Sequence, residues 1–128
     1  MSKLACPCDY TIADQTLNLP YKAHLLPNTE LDNFFNLLTE SIDSLSNDTK
    51  SNQRTEWIKK HFNVPPYPLD IKDSSMIFDI LTTAFFDKSK LIYECENCGR
   101  IAIQRGKTEQ FQFFSPDTKN TKGILDKK

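Results

Sequence analysis

Apolar positions along the chain follow two different periods, and the change of period divides it into helical and extended segments. Leu31, Phe34, Phe35, Leu38, Ile42 and Leu45 recur three or four residues apart. One face of a helix presents such a stripe, which predicts a helix over residues 29–46. Thr29 opens it, with Asp32 three residues on as a weak variant of a capping box. Ile77, Ile80, Leu81, Ala84 and Phe85 make a second stripe, a core face on a helix capped by Asp73 or Ser74 and running to about Phe86. Between them, residues 54–62 predict a short helix with Trp57, Ile58 and His61 or Phe62 pointing inward. A polar loop over 46–53 precedes it. The proline-rich stretch 63–68 follows, and reads as a rigid extended connector that packs Tyr67 on the core.

The extended segments lie toward the two ends. Residues 3–12 read as strand, knuckle and returning strand with Tyr10 and Ile12 on one face, and 21–26 as a short strand between two Leu-Pro interruptions. Residues 90–95 read as the strand entering the second cysteine knuckle and 99–104 as the strand leaving it, with an apolar, β-branched run after Gly99. In 110–115, Phe111 and Phe113 alternate with polar positions, which predicts a hairpin with the strand before it across a turn at 105–107. The expected fold class is α+β, a small antiparallel sheet with two or three helices packed to one side.

The chain's four cysteines fall at Cys6, Cys8, Cys95 and Cys98. Two close pairs of thiols are the donor set of a tetrahedral structural metal site, here read as Zn2+ in a zinc-ribbon-like arrangement. Gly99 follows the second pair, where a knuckle turns through positive φ. Asp9 follows the first pair and tolerates that conformation less well than glycine, though better than most residues. Three other readings compete. Free buried cysteines are common, but four in 128 residues arranged as two close pairs are not a random scatter. Disulfides need an oxidising compartment, and residues 1–14 are too short, mixed and Pro-punctuated for a signal peptide; a cytoplasmic chain with reduced thiols is expected. A redox Cys-x-x-Cys needs a helix N-terminus after it, whereas 100–105 reads as strand. With four thiolates no position is left for water, so the expected site is structural. His24 and His61 are substitute ligands, each isolated.

Composition limits the function. The 128 residues carry 16 basic and 17 acidic side chains for a formal net charge of −1, and a pI near 6.1 opposes a dedicated nucleic-acid binder. No apolar run is long enough for a membrane span. One zinc-stabilised domain over 1–115 is expected, with a polar, flexible tail over 116–128. Phosphate-loop, nucleophile-elbow and His-Glu-x-x-His motifs are missing, and two isolated histidines leave little for acid–base work, so the reading is not an enzyme. The first long helix carries Glu30, Asp32, Glu40 and Asp43 with no basic residue beside them. Such a face is usually no more than solvated; it is also the candidate partner-binding surface.

The two ends carry a resemblance. Cys6-Pro-Cys-Asp-Tyr-Thr-Ile-Ala-Asp14-Gln-Thr16, then Asn18-Leu-Pro-Tyr-Lys22, and finally Tyr93-Glu-Cys-Glu-Asn-Cys-Gly-Arg100 resemble a family of small, poorly characterised bacterial proteins. These begin with Cys-x-Cys-Gly and close with Tyr-x-Cys-x-x-Cys-Gly-Arg; Asp9 departs from the glycine of that pattern. The resemblance implies a cytosolic protein with a four-cysteine site and no established activity. Some orphan proteins of this size are immunity partners of antibacterial toxins, which makes the leading expectation a protein-binding immunity module that neutralises a cognate toxin. The alternative is a nucleic-acid-binding or regulatory zinc ribbon using Arg100, Arg105, Lys107 and Phe111.

Overall fold

The computed structural model describes residues 3–50, 53–61, 72–118 and 122–126. The fold is α+β. Its elements in order are β1 (Lys3–Ala5), β2 (Thr11–Ala13), β3 (Lys22–Leu25), α1 (Asn28–Lys50), α2 (Arg54–His61), α3 (Asp73–Lys88), β4 (Lys90–Glu94), β5 (Ile101–Gln104) and β6 (Phe111–Phe114). Among the described residues no helix is long and apolar enough to cross a membrane.

The chain clusters into two compact units, the first built from residues 1–25 and 89–128 and the second from 26–88. The helical segment is an insertion between two neighbouring strands: β3 and β4 pair antiparallel with Leu25 opposite Lys90, so the chain leaves the sheet and returns to it at one end.

In the first unit, β1 and β2 form a two-stranded ladder, and β3-β4-β5-β6 form an antiparallel sheet in that order. Register decides which face is core. Tyr93 lies opposite Lys22 and Ala102, and Ala102 opposite Phe113. Because side chains alternate along a strand, Leu91, Tyr93, Ala102, Phe111 and Phe113 share one face. They pack with Ile12 of β2 and with Cys6 and Cys95 in a single cluster. The alternation of Phe111 and Phe113 thus holds as expected, and Tyr93 meets Phe111 edge-on at 5.6 Å between ring centres.

In the second unit, α1 packs against α2 and α3. Leu45, Trp57, Ile58 and Met76 make its buried cluster, with Ile80 against it. Trp57 and Ile58 turn inward as expected, and the indole N–H donates to Ser44 Oγ at 2.8 Å. Three expectations are corrected. The polar stretch after Ser46 continues α1 to Lys50 rather than forming a loop from 46; it contains no glycine or proline to stop the helix. Phe35, at the edge of the α1 stripe, is 51% exposed and Leu81 of α3 is 37% exposed, whereas Met76, outside the expected stripe, is fully buried. The side chain of His61, and Phe62, Tyr67 and the connector 63–68, lie outside the described residues.

Within the stretch read as a polar tail, residues 122–126 are described. Gly123 N–H and Ile124 N–H both donate to Glu94 Oε2, at 2.7 and 3.3 Å. Residues 122–126 are therefore held against a strand of the sheet.

Candidate metal centre

Each pair of cysteines sits on a tight reversal between two strands, β1 to β2 for Cys6 and Cys8, β4 to β5 for Cys95 and Cys98. The two reversals share one backbone plan. Asp9 N–H donates to Cys6 C=O at 2.9 Å, and Gly99 N–H to Cys95 C=O at 2.8 Å. The next residue then closes the loop: Cys6 N–H donates to Tyr10 C=O and Cys95 N–H to Arg100 C=O. The residue after each second cysteine is left-handed, with φ of 74° at Asp9 and 80° at Gly99. The sequence reading of Gly99 holds, and Asp9 adopts the same conformation in the position where glycine would cost least.

The reversals bring the sulfurs together across nearly the whole chain. Cys6 Sγ lies 3.6 Å from Cys98 Sγ, and Cys8 Sγ 3.6 Å from Cys95 Sγ. All four sulfurs lie within 4.8 Å of one another. A disulfide requires about 2.05 Å, and all four thiols are free. A tetrahedron with metal–sulfur bonds of about 2.3 Å has edges of about 3.8 Å, so the four thiols can hold a metal ion. Each 3.6 Å edge joins one sulfur from each reversal, and a bound ion would tie the N-terminal hairpin to the sheet.

Electrostatics around the sulfurs are uneven. Burial pushes the Cys95 thiol up to about 12 and raises Cys6 as well. The Asn97 amide, donating to Cys8 Sγ at 3.4 Å, leads the causes that lower Cys8 to about 6. A coordinated cation reverses the burial effect, since the thiolate is the ligand. Arg100 Nη1 donates to Cys98 Sγ at 3.5 Å and raises its own pKa by doing so. Its positive charge would partly offset the two negative charges that four thiolates would leave around a bound dication. Arg100 Nε donates to Ser115 Oγ at 3.1 Å.

The domain-of-unknown-function family DUF8617 matches residues 2–118. The chain belongs to this family. No curated protein and no solved structure matches it.

A network that sequence reasoning missed joins the core of the sulfur cluster through Tyr93 in this DUF8617 protein. Asp14 Oδ2 accepts Lys22 Nζ at 2.7 Å and also the Tyr93 hydroxyl. Lys22 lies 5.9 Å from the centre of the Tyr93 ring, and Tyr21 donates its hydroxyl to Ala13 C=O. Burial alone would raise the Asp14 carboxyl, but the Lys22 and Tyr93 hydrogen bonds and the Lys22 charge outweigh it and lower it. Asp14, Tyr21, Lys22 and Tyr93 are among the residues that carry the family resemblance in the sequence. Their presence in that pattern was the available signal; nothing in the spacing said that they meet.

The other candidate residues are scattered. Asp32, Glu40 and Asp43 of α1 are exposed, while Glu30 is half-buried and accepts Lys88 Nζ of α3 at 3.3 Å. His24 lies on β3, outside the sulfur cluster. Of the basic hairpin set, Arg100 is engaged at Cys98, Lys107 Nζ donates to Ser89 C=O at 2.6 Å, and Phe111 packs in the core.

Proposed function

We propose that the four thiolates hold one structural Zn2+ in a zinc-ribbon-like centre, and that the protein is a non-catalytic binding module, an immunity protein for a bacterial toxin. Zinc is the ion that an all-sulfur tetrahedron of these dimensions suits. Four protein ligands fill that tetrahedron and leave no coordination position for water or substrate, so the ion serves the fold and not a reaction.

The observation that carries the binding reading is the exposed acidic side of α1. Asp32, Glu40 and Asp43 face outward within about 80° of one another at 3.6 residues per turn, and among the described residues none of the three is in an ion pair. Glu30 belongs to the helix's inner edge through Lys88 and contributes less to that surface than the sequence suggested. An acidic face of this kind complements the basic cleft of a nuclease toxin and steers the encounter.

Co-expression tests the reading. Cells producing the toxin encoded beside this chain are rescued by the wild-type chain and killed with Asp32→Lys/Glu40→Lys/Asp43→Lys, while the variant stays folded because surface changes cost little. In vitro the variant associates about tenfold more slowly at low salt, and the deficit shrinks as salt screens the charges. Equal protection by both chains removes α1 from the interface, and no protection by the wild-type chain removes the immunity reading.

A further inference from the structure

Glu94 sits at the end of β4 and is 2% exposed. A carboxylate is not kept in such a place without donors, and Glu94 Oε2 takes two from the C-terminal segment, Gly123 N–H at 2.7 Å and Ile124 N–H at 3.3 Å. Gly123 has φ of +84°, and the turn closes with Asp126 N–H donating to Gly123 C=O at 3.1 Å. Successive amides converging on one oxygen from a left-handed glycine form a nest, an anion-binding arrangement of main chain. Here the protein supplies both anion and nest. Beside the contact lies a cavity of about 160 Å3 lined by Pro20, Tyr21, Glu94, Glu96 and the segment itself. A Cβ built on Gly123 would meet nothing within 4 Å, so the glycine serves its backbone conformation and not close packing. The segment also falls beyond the residues that the family model matches.

We propose that the Glu94 cleft is a peptide-binding site, that its ligand is a main-chain turn offering two successive N–H groups from a left-handed glycine, and that the chain's own C-terminal segment fills it in cis. Release of the segment exposes a buried carboxylate next to Tyr21 and Glu96, and a partner's turn of the same geometry takes its place. This binding mode uses neither the sulfurs nor α1, and stands independently of the immunity reading.

The test uses the full-length, metal-loaded chain. Gly123→Pro removes one donor and cannot adopt positive φ, so the tail is released while Glu94 and the cleft stay intact. A short tether holds its end at an effective concentration on the order of millimolar. A tail docked for most of the time in cis must therefore bind in trans with a dissociation constant below that value. A synthetic peptide of residues 118–128, titrated to several times about 1 mM into the Gly123→Pro chain, should shift the amide resonances of Tyr21, Glu94 and Glu96 saturably. In the wild-type chain the same shifts should need at least severalfold more peptide, and Glu94→Gln added to Gly123→Pro should weaken them at least tenfold. In the untreated wild-type chain the Ile124 amide should exchange with solvent at least tenfold more slowly than in the Gly123→Pro/Glu94→Gln chain, and the Gly123 amide should be protected against its unprotected rate. Absence of saturable shifts in the Gly123→Pro chain overturns the proposal. So do identical shifts in wild type and variant, or exchange of both wild-type amides at unprotected rates.

Discussion

Removing the metal should dismantle one half of the protein and spare the other. The sulfur pairs that meet at 3.6 Å are 92 and 87 residues apart in the chain. Cross-linking a loop of that length removes about 4–5 kcal/mol of conformational freedom from the unfolded chain on the logarithmic scaling. Structural zinc contributes roughly 10–16 kcal/mol at neutral pH, comparable with or larger than the roughly 5–15 kcal/mol by which a whole domain is stable. With zinc bound at the four thiols the first unit should depend on that ion, because Cys6 and Cys95 are part of its only buried cluster among the described residues. The second unit has a separate cluster of Leu45, Trp57, Ile58 and Met76. Elemental analysis of untagged protein should find one zinc per chain. A strong chelator should then collapse the dispersed amide resonances of β1–β6, while the fluorescence of Trp57, the chain's single tryptophan and 2% exposed, keeps its buried, blue-shifted emission. Cys95→Ser should reproduce the chelated spectrum without chelator. A metal-free chain with the strand resonances intact would refute the reasoning, because the hairpin and the sheet would then be joined by packing and not by an ion.

Two further outcomes follow from the surroundings of the sulfurs. Asp14→Asn should lower stability by about 1.5–3 kcal/mol, the range for hydrogen bonds to a charged group. The folded-state pKa of Asp14 is depressed, so its contribution is complete above the unfolded value of about 3.9 and is lost as pH falls through the lower folded value. Denaturant midpoints measured from pH 7 to pH 3 should therefore converge for wild type and Asp14→Asn at the acid end; a constant gap would place the loss elsewhere. In the two left-handed positions opposite changes should have opposite signs. Asp9→Gly should stabilise the metal-loaded chain by about 0.5–1 kcal/mol, and Gly99→Ala should destabilise it by about 1–2 kcal/mol, read as shifts in thermal midpoint.

Element types were legible in the sequence where an apolar period ran unbroken, and boundaries were not. The stripe from Leu31 to Leu45 located α1, but its end was misplaced because residues 46–50 are merely polar. Polar side chains solvate a helix surface as readily as a loop, and only a breaker or a cap ends the hydrogen-bond ladder. Phe35 illustrates a second limit. A helical stripe marks a direction broader than the neighbour it meets, and nothing in the period says which edge of the stripe the neighbour leaves exposed. In α3 apolar residues surround most of the helix, so the period picked out Leu81 and Phe85 and passed over Met76. Contacts with α1 and α2 selected Met76.

The metal centre shows why some chemistry can be read from a chain and some cannot. Each knuckle is made within a few residues, so its thiol pair and its left-handed residue are adjacent in the sequence; that the two pairs should meet was then an expectation from the preference of a zinc ion for four thiolates. Asp14 and Tyr93 are 79 residues apart, and Glu94 and Gly123 are 29 apart. Neither pair shares a donor set that demands a fixed number of partners. A carboxylate accepts from a lysine, a phenol or a main-chain amide with similar ease, so residue type alone leaves its partner open. The register of β4 decides it: Tyr93 falls on the core face and meets Asp14, and the next residue, Glu94, falls on the opposite face, where the C-terminal segment is the described source of donors.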